Sequence, residues 1–77
     1  MSHEDYLRPH PPMRSRRASR WGAYYNVMAR WFREMAHGLN DYPASQQYAQ
    51  DEAARYQAGA DMIAAGQHPA QVDGRWK

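Results

Sequence analysis

The chain contains no cysteine, so disulfides and thiolate metal sites are excluded. Branched aliphatic and Phe side chains are scarce among its 77 residues: Leu7, Val27, Phe32, Leu39, Ile63 and Val72 are the full set. Depletion of that kind marks disorder when net charge is high, but the net charge here is only +2. Apolar runs approaching the roughly 18 residues of a membrane span are absent as well. Lysine occurs once, against nine arginines and thirteen alanines, a balance we read as the codon bias of a GC-rich genome. The opening residues Met1 to Asp5 are polar and acidic, unlike a signal peptide. A cytoplasmic protein with no membrane partner is expected.

The missing aliphatic area is supplied by three Trp, six Tyr, one Phe and five Met. Trp21, Tyr25, Met28, Phe32, Met35 and Leu39 recur at steps of four, three, four, three and four. That spacing aligns them on one side of an α-helix. A second series with the same steps, Ala49, Ala53, Tyr56, Ala60 and Ile63, is mostly small. A bulky stripe followed by a small one predicts two helices of one chain packed closely, the large side chains sinking between Ala residues and Gly59.

Three segments are expected. Residues 1–15 form a disordered Pro/Arg-rich arm, because Pro9, Pro11 and Pro12 remove donors and favour extended backbone. Residues 16–68 form an antiparallel helical hairpin, with helices over about 16–38 and 42–65. Residues 69–77 form an irregular tail. Ser15 or Ser19 would cap the first helix and Asp41 or Ser45 the second. Gly22 weakens the first turn, His37 and Gly38 mark the first helix's end, and Gly66 the second's. The fold class is all-α, and the core is expected to be completed by dimerisation or by docking on a partner. That last expectation rests on Tyr24 and Trp31, which flank the bulky stripe and widen the apolar face beyond what one Ala-rich helix covers.

Chemistry-bearing patterns are few. The sequence has no G-x-S-x-G, P-loop or H-E-x-x-H motif and no Cys nucleophile, and a hairpin of this length is expected to leave no pocket of about 300 Å³. Asp51 and Glu52 are adjacent, so a helix turns them apart. His3, His10, His37 and His68 lack metal-ligand spacing with one another. Met1-Ser2-His3 has the form of an amino-terminal copper or nickel site, which loss of Met1 would destroy. No catalysis, no metal and no cofactor are expected.

Charge is the more informative signal. Seven arginines and no acid lie between Tyr6 and Arg33, whereas six acids lie from Glu34 onward. Arg14, Arg16, Arg17 and Arg20 fall within seven residues and suit phosphates or an acidic protein surface. On the first helix, Tyr24, Arg30, Trp31 and Arg33 are the candidate partner-binding residues, since Trp, Tyr and Arg dominate interface energetics. The expectation is a small accessory or inhibitory protein that occludes a surface on a larger target, or on itself as a homodimer. Such a chain would suit a phage or mobile element acting against a host machine. A nucleic-acid-binding module using the arginine cluster is the alternative, and a structural subunit of a larger particle a further one.

Overall fold

In the computed structural model, residues 8–13 and 17–72 are described. Three helices occupy them: α1 over Ala18–His37, α2 over Pro43–Ala64 and a single turn, α3, over Pro69–Val72. No strand occurs among the described residues. The helices α1 and α2 pack along their lengths in opposite directions. Near the connection, Gln46 Nε2 donates to the Ala36 carbonyl at 2.9 Å. Further along, the Phe32 and Tyr25 rings meet Tyr56, and at the far end Gly22 faces Ile63.

Both stripes close on each other as their spacing dictates. Trp21, Tyr25, Met28 and Phe32 of α1 are buried, as are Ala49, Ala53, Tyr56, Ala60 and Ile63 of α2. Met35 and Leu39 are half-buried at the margin of this core. Tyr56 is its hub. Its ring centroid lies 5.2 Å from Tyr25 and 6.2 Å from Tyr24, both edge-on, and 5.8 Å from Phe32, stacked at 16°. Each such ring pair contributes about 0.5–1.5 kcal/mol beyond area burial. Aromatic contacts thus replace the aliphatic packing that this composition cannot supply.

Small residues set how closely the helices approach. A Cβ on Gly59 would overlap the Tyr25 ring, so that ring lies directly on the α2 backbone. The Tyr25 hydroxyl continues past it and donates to the Val72 carbonyl at 3.4 Å. This bond and the fully buried Pro69 hold α3 against the hairpin. Residues 69–72 are therefore helical and docked, where the sequence had suggested an irregular tail; residues 73–77 lie outside the described residues. Pro69 sits at the first helical position, and His68 Nδ1 accepts the Ala70 N–H at 3.2 Å.

The helix ends depart from the expected capping. Arg17 and Tyr42 occupy the N-cap positions of α1 and α2, neither with a side-chain cap bond. Ser19 and Ser45 lie inside the helices, Asp41 precedes the cap, and Ser15 is outside the described residues. At α2, Pro43 occupies the first turn, where the missing N–H costs nothing. The C-terminal ends follow the sequence more closely. Helix α1 stops at Gly38, and the α2 end is a Schellman closure: Gly66 at φ 102°, with Gln67 N–H on the Met62 carbonyl and Gly66 N–H on the Ile63 carbonyl, both at 3.0 Å. Gln46 ties the connection by donating to the Asn40 Oδ1 at 3.1 Å as well as to the Ala36 carbonyl.

Two glycines of similar sequence setting should respond oppositely to alanine. Gly59→Ala gains about 1 kcal/mol of helix propensity but must displace the Tyr25 ring, for a net loss of about 1–3 kcal/mol. At Gly22, a Cβ would meet only Ile63 Cγ2 at 3.4 Å, an ordinary contact, so Gly22→Ala should stabilise by up to about 1 kcal/mol. Urea denaturation of both variants checks the pair of signs. Ala53, 4% exposed, leaves no room for a larger side chain, so Ala53→Leu should lower the melting temperature through about 1–3 kcal/mol of overpacking. An unchanged melting curve would mean that this face is open.

Candidate interaction surface

The segment from Arg8 to Met13 runs back along α1. The guanidinium of Arg8 lies 5.5 Å from the centre of the Trp31 ring. Pro9, His10 and Pro12 face Ser19, Arg20, Ala23, Tyr24 and Val27 across an open groove of about 440 Å³. Pro9, Pro11 and Pro12 are half-buried, and the Met13 N–H donates to the Pro11 carbonyl at 2.9 Å, turning the chain. Proline supplies a fixed φ and no N–H donor, which suits a strand laid on an apolar helix edge. These residues lie on the hairpin, where a disordered arm had been expected.

Tyr24 is accordingly not an uncovered ring. It is 7% exposed, packed edge-on against Trp21 at 6.0 Å and against Tyr25 at 5.8 Å. The sequence placed it beside the core stripe; the structure places it within the core, because Tyr56 and Tyr25 close over it from α2 and from its own helix. Trp31 is half-buried, its ring edge-on to Phe32 at 5.0 Å and its outer side under Arg8.

The four candidate residues on α1 do not form one patch. Successive helical residues turn by about 100°, so Arg33 points almost opposite to Tyr24. Arg33 sits on the edge beside α2, where its guanidinium donates to Gln57 Oε1 at 3.3 Å. Arg30 lies on the solvent face between, exposed and without an ion-pair partner among the described residues. Of the arginine cluster, Arg17 forms the N-cap of α1, Arg20 lines the groove, and Arg14 and Arg16 lie outside the described residues.

The strip that does hold together is therefore Arg8, Trp31, Val27 and Arg20, with Met13 exposed at the end of the proline segment. Val27 is 41% and Met13 49% exposed. Arg8, Met13 and Val27 were not singled out from the sequence. Three prolines next to an arginine, ahead of an aromatic-rich helix, were the available signal, since proline-rich segments dock on aromatic faces.

A second groove, of about 320 Å³, opens between α2 and α3 over Tyr25, Tyr56, Gly59 and Met62. Both grooves exceed the space expected from chain length. At the second, Arg55 lies 4.9 Å from the Tyr56 ring centre and pairs with Glu52 at 2.6 Å. That hydrogen bond raises the Arg55 pKa, while burial opposes it. Among the described residues, no three His, Asp or Glu side chains cluster as a metal site, and no helix is long and apolar enough to cross a membrane. No protein-family model matches the chain, and neither a curated protein nor a solved structure matches it significantly.

The cation–ring contact should be measurable in stability. Arg8→Ala is expected to cost about 0.5–1 kcal/mol, whereas Arg30→Ala should stay within about 0.5 kcal/mol of the parent in urea melts. Equal effects would remove the Arg8–Trp31 contact as a stabilising element.

Proposed function

We propose that this protein is a binding module without chemistry of its own, which docks the outer side of α1 and the proline segment on an acidic surface of a larger protein. The supporting observation is the strip of α1 in which Arg8 covers Trp31 and exposed Val27 and Arg20 line the adjoining groove. Trp and Arg are among the residue types enriched at protein interfaces and their energetic centres. Charge agrees, since Glu34 is the sole acidic residue of α1 and lies past Trp31. Docking of this kind would act by covering a surface, in an accessory or inhibitory role. Self-association has less support, because one of the two rings invoked for it, Tyr24, is covered by its own chain.

The second reading is binding to nucleic acid. It is favoured by the absence of any acid among described residues 8–13 and 17–33, which include Arg8, Arg17, Arg20, Arg30 and Arg33. Released counterions would then make affinity fall steeply with salt.

A photoreactive side chain at position 27, with one at position 50 on α2 as control, separates the readings in the native host. Expected is a protein cross-link from position 27 only, lost in Arg20→Glu. The reading falls if position 27 yields no protein adduct. It passes to nucleic acid if the chain also retains RNA at about 50 mM salt and releases it at about 200 mM.

A further inference from the structure

We infer that the groove between the proline segment and α1 is the seat of an acidic peptide strand, one apolar side chain of which enters between Pro9 and Pro12 on one side and Ala23 and Val27 on the other. The inference rests on the protein-binding reading and gives it a place and a ligand chemistry. The groove, about 440 Å³, lies within the range of ligand-binding clefts. Its walls are apolar: pyrrolidine rings, the Ala23 methyl, Val27 and the edge of Tyr24. Among its lining residues Arg20, His10, Ser19 and Tyr24 have polar side-chain groups, and none carries a carboxylate. Arg20 has no ion-pair partner among the described residues. A ligand carboxylate beside an apolar anchor would satisfy both the cation and the walls.

The proline side adds a directional argument. Pro9 and Pro12, which line the groove, have carbonyl acceptors and no N–H donors. A peptide backbone alongside has N–H groups to donate; a phosphodiester has none. Fixed proline φ angles also lower the entropy lost when the ligand settles. Stacking of unpaired bases has no open ring face in this groove, since Tyr24 is 7% exposed and the outer face of Trp31 lies under Arg8. The chemistry of the groove therefore suits a peptide better than an oligonucleotide.

The test is a titration of the full-length, isotope-labelled chain, followed by amide NMR, with the acetylated peptide Asp-Glu-Asp-Leu-Glu-Asp-Glu-Asp. A second peptide carries Ser in place of Leu. Expected are shifts at His10, Ser19, Arg20, Ala23 and Val27, and binding at least about tenfold weaker for the Ser peptide, as loss of one buried Leu implies. Val27→Asp, at a position 41% exposed and so tolerant of a charge, should weaken the Leu peptide similarly, with circular dichroism unchanged. Equal affinity for the two peptides, or shifts centred on Arg30, Arg33 and His37, would overturn the groove while leaving an acidic partner in place. No response to either peptide overturns the groove as well. If an oligothymidine then displaces the same amide signals, the protein-binding reading falls with it.

Discussion

The Tyr25 ring occupies the volume that a side chain at position 59 would need, and the spacing of the two helices follows from that contact. With the ring laid on the α2 backbone, Tyr25 and Tyr56 meet at 5.2 Å, and Tyr56 reaches Phe32 and Tyr24 in turn. The same ring carries its hydroxyl to the Val72 carbonyl, so α3 is positioned by the residue that sets the hairpin. A small chain with few aliphatic side chains has little apolar area to bury. Interlocked rings around one glycine concentrate what it has, and the consequence is that the core depends on a notch as much as on area.

The hairpin was legible because helical periodicity is a property of many residues at once. Eleven stripe positions, Trp21 to Leu39 and Ala49 to Ile63, agree on two faces, and an error at any one of them would not shift the phase. The caps were not legible because each depends on one or two residues among several candidates. Asp41 and Ser45 both have the chemistry of an N-cap, yet Pro43 lies between them and takes the first turn, which leaves Tyr42 at the cap position. Gln46 closing the loop onto Ala36 and Asn40 had no sequence signal at all, since a glutamine in a Gln-rich helix looks like any other.

The surface was legible in composition and not in arrangement. Arginine and aromatic residues near the start of α1 drew attention to this helix, but stripe spacing alone leaves every ring outside the a and d positions uncovered. Tyr24 refutes that, because three neighbouring rings and a wide aromatic stripe absorb it into the core. The proline segment was read by its inability to form helix, which is correct and incomplete. An extended strand that needs few internal hydrogen bonds is free to lie on another element, and here it lies on α1.

Whether such a segment can lie there is a matter of magnitudes. Fixing the backbone of a residue costs about 1–2 kcal/mol in conformational entropy, so six residues from 8 to 13 would cost about 6–12 kcal/mol as an ordinary chain. A contact such as Arg8 on Trp31 returns only about 0.5–1 kcal/mol, and half-burial of three pyrrolidine rings adds modestly to it. Three of the six residues are proline, whose φ is already fixed in the unfolded chain, and each also restricts the residue before it. At about 0.4–1 kcal/mol per proline, part of the ordering cost is thus removed before folding begins. Replacing those prolines by flexible residues would restore it while leaving every contact of Arg8 chemically possible. The prolines, and not the cation–ring contact, decide that this strip of α1 carries a wall and a groove instead of a bare helix edge.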